Sequence, residues 1–153
     1  PKRVYRAGKT EVPEGTYAIP FGRGKVARAG AGVTVVAWGA MLHEARTACD
    51  TAAEEGIDCE LLDPRTLVPF DIDLVAGSVD KTGRLVVVHE APKTCGFGAE
   101  VLAKVLERCF YRLEAQPVRV TGLDTPFPYA QEHAYLPLAP RILDGIRAVW
   151  RDR

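Results

Sequence analysis

Four side chains able to hold or move a proton stand where apolar runs give out. Asp63 closes "IDCELLD", His89 and Glu90 close "RLVVVHE", and Asp124 follows "VRVTGL". A neutral imidazole beside a carboxylate is the material of general acid–base catalysis, with the ring moving the proton and the carboxylate orienting the ring. Neighbouring residues of a strand point to opposite faces, however, so His89 and Glu90 cannot both address one substrate. Two readings stay open: a catalytic or ligand-binding role, and a pair that ties loops together or sits at a subunit contact. The second is favoured.

Other chemistries have less support. Gly96-Phe97-Gly98 follows a strand-like run and opens a helical one, as a dinucleotide fingerprint does, but Val101 stands where the third glycine belongs. A tight turn that lets a helix start close to a sheet is the plainer account. "GRGK" (22–25) lacks the upstream glycine and the Ser/Thr of a phosphate-binding loop, and reads as a turn. Ser78 is the only serine and has no nucleophile motif around it. Cys49, Cys59, Cys95 and Cys109 are too far apart for a zinc site or a disulfide framework, and are expected as free, buried thiols in a reducing compartment.

The elements that must position these groups follow from hydrophobic period. "VTVVAW" (33–38) is β-branched and almost wholly apolar, as in a strand buried on both faces. After Gly39, Met41, Ala45, Ala48, Cys49 and Ala52 recur at helical spacing up to a stop at Gly56. A second strand is expected over 57–63, then a helix over 69–83 with Asp71 as N-cap and Gly83 as stop. The third strand is 84–90. The helix after it (99–113) carries Val101, Leu102, Val105, Leu106, Cys109 and Phe110 as one apolar stripe. A fourth strand (118–123), a proline-rich loop (124–140) and a helix (141–150) complete the chain.

Strand and helix alternate four times. Parallel neighbours need crossovers of this length, so the expected fold is a three-layer α/β/α sandwich around a mostly parallel sheet of about five strands. Tyr17–Ile19 and Lys25–Ala27 are expected to form a hairpin ahead of it. Residues 1–30 then make an N-terminal linker and residues 31–153 the domain. The loop 124–140 is unusual, since it sets Phe127, Tyr129 and Tyr135 among Pro126, Pro128, Pro137 and Pro140. Docking on its own domain and a subunit interface are both open to it.

The bulk numbers exclude several classes. Twenty basic and twenty acidic residues give no net charge, so nothing asks for nucleic acid or an anionic membrane. No apolar run approaches the ~18 residues of a membrane span, and a cytoplasmic location is expected by elimination. The chain has no initiator Met, and Pro13, Pro20 and five glycines fall in its first 30 residues. It is expected to be part of a longer polypeptide.

Taken together, "EVPEGTYAIPFGRGKVARAGAGVTVVAWGAMLHEA", "LLDPRTLVPFDIDLVAGSVDKTGRLVVVHEAPKTCGFGAEV" and "VTGLDTPFPYAQEHAYLP" resemble, in order, the C-terminal half of the beta subunit of thiamine-diphosphate-dependent 2-oxoacid dehydrogenases. Residues 94–100 and 124–132 look most like the branched-chain member, with pyruvate dehydrogenase next. The resemblance implies a transketolase C-terminal-like domain, which agrees with the sandwich. It implies oxidative decarboxylation of a 2-oxoacid with acyl transfer to a lipoyl arm in the intact enzyme. Thiamine diphosphate and Mg would be held by other parts of that enzyme and not by this chain.

The same resemblance assigns no catalytic residue here. Its implied partners are an alpha subunit and a second beta subunit in a heterotetramer, and the peripheral subunit-binding domain of the dihydrolipoyl acyltransferase. Candidate interface residues are His89, Glu90, Phe97, Asp124, Phe127, Pro128, Tyr129 and Tyr135. A free-standing small-molecule module with its site around Asp63, His89 and Asp124 is the alternative from another class. Two departures from the family stand out: Pro64 replaces an apolar residue, so its strand should end at Asp63, and Gln116 lengthens a turn by one residue.

Overall fold

The computed structural model describes Val4 and residues 11–151. Most of the first ten residues, part of the expected linker, lie outside the described residues. Five strands form one sheet in the order β1-β3-β2-β4-β5. These are β1 (Lys25–Arg28), β2 (Val33–Ala37), β3 (Cys59–Asp63), β4 (Leu85–Pro92) and β5 (Val118–Gly122). All pairs are parallel except the edge pair β1–β3. The long helices are α1 (Met41–Glu54), α2 (Ile72–Thr82), α3 (Gly98–Cys109) and α5 (Ala139–Arg151), with α4 (Glu132–Tyr135) a single turn.

Side-chain alternation sorts the core into two layers. Val33, Val35, Leu61, Val86, Val88 and Val120 turn to one face, under α1 and α5. Val36, Leu62, Leu85 and Val87 turn to the other, against Val75 and Val79 of α2 and Val101 and Val105 of α3. Each fully buried Val or Leu is worth roughly 1.5–3 kcal/mol against exposure, so a one-residue slip of β2 or β4 would scramble both layers at once. The three-layer α/β/α sandwich read from the sequence is the fold.

Several local signals act as their chemistry requires. Asp71 caps α2, its Oδ1 accepting the Leu74 N–H at 3.1 Å, while Oδ2 accepts the Gly24 N–H at 2.9 Å and pins the incoming chain to that helix start. Gly83 stops α2 in the left-handed region at φ 67°. Beneath α2, Thr34 Oγ1 lies 2.7 Å from both the Ser78 and Thr82 hydroxyls, a buried polar knot that ties helix to central strand. β3 ends at Asp63, where Pro64 cannot continue the ladder.

Five expectations are corrected. Tyr17–Ile19 is not a strand: Tyr17 and Ile19 remain 54 % and 51 % exposed, and Lys25–Arg28 pairs instead with the outer edge of β3, where backbone partners are available. The apolar stripe on α3 splits: Val101, Val105 and Cys109 are buried in the core and Leu102 packs partly buried against it, whereas Leu106 and Phe110 stay exposed. That helix ends at Cys109 and tightens into a 3₁₀ turn over Phe110–Arg112. α5 begins at Ala139, before the expected 141, since Pro140 in a first turn needs no N–H partner. Finally, Cys95 is exposed, while Cys49, Cys59 and Cys109 are buried; all four are free.

Candidate functional site

β2 connects to β3 on one side, while β3 connects across to β4 on the other. The strand order therefore reverses between β2 and β4, and ligands of doubly wound sheets enter at the C-terminal end of such a reversal. Trp38 and Gly39 leave β2 at that point, and His89 stands in β4 beside it. Together with Leu67, Glu90, Ala91 and Phe97 they line a cleft of about 190 Å³.

The His89 ring is 1 % exposed. It stacks on Trp38 with centroids 5.3 Å apart and planes 18° from parallel. Phe97 meets Trp38 edge-on at 6.0 Å and Phe70 at 5.8 Å. The Gly98 N–H donates to His89 Nε2 at 3.2 Å. An imidazole nitrogen that accepts carries no proton, so the neutral ring holds its proton on Nδ1. Among the described residues Nδ1 is buried and makes no well-formed hydrogen bond, the Ala91 backbone being the polar group that lies near the ring. Burial pushes the ring's pKa below its ordinary 6.5; the nearby Ala91 backbone opposes the shift in part, and the Arg119 charge adds to it.

Glycine makes this corner possible. A Cβ on Gly98 would stand 2.5 Å from His89 Nε2, and one on Gly96 would stand 2.5 Å from Cε1 and 2.3 Å from the Pro92 carbonyl oxygen. Only hydrogens fit between backbone and ring.

The strand-end carboxylates are engaged elsewhere. Asp63 Oδ1 accepts the Arg65 N–H at 3.0 Å, turning the chain out of β3. Asp124 Oδ1 accepts the Thr94 N–H at 2.9 Å, and its Oδ2 accepts the Thr94 hydroxyl at 2.7 Å. These two bonds hold the Asp124 carboxyl below the usual carboxylate range, the backbone bond first. They fasten the β4–α3 corner to the exit of β5. Glu90 and Ala91 line the cleft beside His89 at the end of β4, where the ladder to β5 slips register between His89 and Pro92. No hydrogen bond joins His89 and Glu90 among the described residues.

The aromatic loop forms a separate group. Phe127 packs edge-on between Tyr129 at 5.7 Å and Tyr135 at 5.0 Å. Tyr135 is buried over Gly122, but Phe127 is 42 % and Tyr129 92 % exposed, with Pro128 between them. Reading the sequence missed Trp38, Leu67 and Thr94. Trp38 had a signal, since it ends the central strand at the reversal of strand order; Leu67 and Thr94 lie in loops whose reach only the fold decides.

Among the described residues, no helix is long and apolar enough to cross a membrane. Known proteins place the fold. The transketolase C-terminal domain family matches residues 22–142. The chain is 52 % identical over 148 residues to the Arabidopsis thaliana protein named 2-oxoisovalerate dehydrogenase subunit beta 2, mitochondrial, covering 97 % of this chain and 41 % of that protein. It is 47 % identical over 133 residues to the Pseudomonas aeruginosa 2-oxoisovalerate dehydrogenase subunit beta, covering 87 % of this chain and 37 % of that one.

The Acholeplasma laidlawii pyruvate dehydrogenase E1 component subunit beta is 45 % identical over 154 residues, covering 100 % of this chain and 47 % of that protein. The chain thus spans less than half the length of these relatives. A solved structure described as "Split gene transketolase, inactive beta4 tetramer" superposes with a TM-score of 0.77 at 30 % identity, covering 95 % of this chain and 47 % of that one. With its sheet order, its glycine-lined corner and this match over most of its length, the chain belongs to the transketolase C-terminal domain family.

Proposed function

We propose that this chain is the C-terminal assembly domain of the beta subunit of a branched-chain 2-oxoacid dehydrogenase, and that it carries no chemistry of its own. The observation behind this reading is the state of the strand ends. His89 Nε2 accepts from Gly98, Asp63 from Arg65 and Asp124 from Thr94, so the groups that looked catalytic are spent on holding loops. Among the described residues no three His, Cys, Asp or Glu side chains gather as metal ligands. This donor set does not fit Mg-bound thiamine diphosphate.

In the whole enzyme thiamine diphosphate would supply the chemistry of decarboxylation and acyl transfer, bound by other parts of the assembly. The identities favour a branched-chain over a pyruvate substrate: 52 % and 47 % to subunits named 2-oxoisovalerate dehydrogenase, against 45 % and 41 % to subunits named pyruvate dehydrogenase.

Residues 31–153 form the domain in this proposal, with β1 contributed by the segment before it. The proposed partners are an alpha subunit, a second beta subunit and the peripheral subunit-binding domain of the acyltransferase. Candidate contacts are Glu90, Phe97, Asp124 and the exposed rings of Phe127 and Tyr129 around Pro128, because exposed rings on rigid backbone are typical interface anchors, while His89 and Tyr135, which are buried, would support those contacts from beneath. Four free thiols suit a reducing compartment such as the cytoplasm.

The test combines two measurements on this chain. Mixed with the alpha subunit it should elute as a larger species. Thiamine diphosphate with Mg should leave its melting temperature unchanged, since a ligand that binds the folded state must raise it. A cofactor-dependent rise, or no association with the alpha subunit, would overturn the proposal.

A further inference from the structure

The sheet has two edges. β1, at one, is broken by a register shift between Val26 and Arg28. β5, at the other, pairs only with β4 and keeps its register from Val118 to Thr121. The ladder fixes where its polar groups point. The Thr34 N–H donates to the Arg84 carbonyl at 2.9 Å, so even-numbered residues of β4 turn their N–H and C=O to β2 and odd-numbered ones turn theirs to β5. Val87 stands opposite Arg119, so Val118 and Val120 answer its groups, and Arg119 and Thr121 direct theirs away from the sheet. The Thr121 carbonyl accepts from Arg141 Nη2 there at 2.9 Å. Among the described residues nothing answers the Arg119 N–H or its carbonyl.

A groove runs along this edge. A depression of about 480 Å³ is lined by residues 118–124, with Arg141, Asp144 and Gly145 of α5 on one side. A second, of about 330 Å³, continues it past Val118 and Arg119 to Pro117, with Leu102 of α3 on the other side. Arg119 is partly exposed and lines both. An open strand edge set between two helix layers is a template for one more strand.

Charge selects the occupant. The two carboxylates of the groove are engaged, Asp124 by both Thr94 donors and Asp144 by Arg147 at 3.1 Å. Arg119 Nη1 donates to the Lys93 carbonyl at 2.9 Å, and Arg141 donates to three carbonyls, so among the described residues neither guanidinium meets a carboxylate. A second copy fits poorly. Pairing the Arg119 groups of two copies brings both Arg119 side chains onto one short ladder, where like charges repel.

We propose that an acidic segment of another polypeptide adds to the β5 edge as an antiparallel strand, with a Glu or Asp opposite Arg119. The N–H of that residue donates to the Arg119 carbonyl, its carbonyl accepts the Arg119 N–H, and its carboxylate meets the Arg119 guanidinium. The proposal goes beyond the assembly reading and does not rest on it.

The probe is N-acetyl-Thr-Val-Thr-Glu-Thr-Val-Thr-amide, titrated into the 153-residue chain and followed by NMR. The Arg119 amide should shift saturably, with a dissociation constant in the millimolar range, and its hydrogen exchange should slow at saturation, as for an amide taken into a ladder. The same peptide with Lys in place of Glu should bind at least about fivefold more weakly, and one N-methylated at Glu at least about tenfold more weakly. Arg119→Glu should reverse the order of the two charged peptides with the melting temperature retained. Arg119→Gln, which keeps a donor for the Lys93 carbonyl, should bind both equally, and it carries the test if Arg119→Glu does not fold.

Four results would each overturn the proposal: an Arg119 amide that stays still under tens of millimolar probe; equal binding of the Glu and Lys peptides; undiminished binding of the N-methylated peptide, which makes the contact one of charge without strand pairing; and the same shifts produced by raising protein concentration alone, which makes the occupant a second copy.

Discussion

Replacing Gly98 with alanine tests the architecture of the His89 corner. Gly98 opens α3 with an ordinary backbone conformation, so propensity alone makes alanine the better helix former, by up to about 1 kcal/mol. Packing says the opposite. The new Cβ would lie 2.5 Å from His89 Nε2 and 2.7 Å from Cδ2, far inside contact distance. The ring has nowhere to go, being 1 % exposed and held between Trp38 and the Gly96 backbone. Overpacking of this kind costs about 1–3 kcal/mol, and displacing the ring also breaks the Gly98–His89 hydrogen bond, worth about 1 kcal/mol.

The net expectation is a loss of about 2 kcal/mol, or roughly 4–8 °C in melting temperature for a chain of this size. Urea denaturation of Gly98→Ala, His89→Ala and the double variant measures it, because deleting the ring should make Gly98→Ala nearly neutral. Gly77, in α2 with nothing within 4 Å of an added Cβ, is the control, and Gly77→Ala should stabilise by about 0.5–1 kcal/mol. If Gly98→Ala stabilises the chain, or costs the same with and without the His89 ring, the steric argument is wrong.

The buried His89 ring should also make stability fall in mild acid. Its folded pKa lies below 6.5, so the folded state binds fewer protons than the unfolded state, and stability drops as pH falls below about 6.5 until the folded pKa is passed. The slope is at most about 1.4 kcal/mol per pH unit and should vanish from the His89→Gln profile, measured by denaturant midpoints between pH 7.5 and 5. Thr34→Val should cost about 1–3 kcal/mol by calorimetry, because it takes away the partner of the buried Ser78 hydroxyl, whereas Thr82 keeps its bond to the Arg84 carbonyl; a neutral result would mean that Ser78 finds another acceptor. Asp124→Asn and Thr94→Val should each lower the melting temperature, and together should lower it by less than the sum, as expected of partners in one contact. A thiol reagent should titrate Cys95 alone in the native chain and all four cysteines in denaturant; fast labelling of Cys49 or Cys59 would contradict their burial.

The fold was legible because its signals are local. Val33–Ala37 and Leu85–Val88 are runs that only a strand buried on both faces accepts, and Asp71 and Gly83 bracket α2 by chemistry confined to one helical turn. Pro64 ended β3 for the same kind of reason. Period and caps therefore determine the elements and their alternation, and alternation at crossover length determines a mostly parallel sandwich. The segment around Tyr17 misled because a hairpin and an edge strand have the same local pattern, and the open edge of β3, more than 30 residues away, decides between them.

The site depended on longer range still. The sequence could show that His89 ends a strand, but not that Trp38 would lie flat against it or that Gly96 and Gly98 would close on its edge. Nor could it show that Asp124 would be spent on Thr94, 30 residues earlier. Those pairings are set where separate β-α units meet at the ends of neighbouring strands. There the protonation and partners of each side chain depend on which backbone groups the packed sheet brings within about 3 Å, a distance that hydrophobic period along a single segment does not encode.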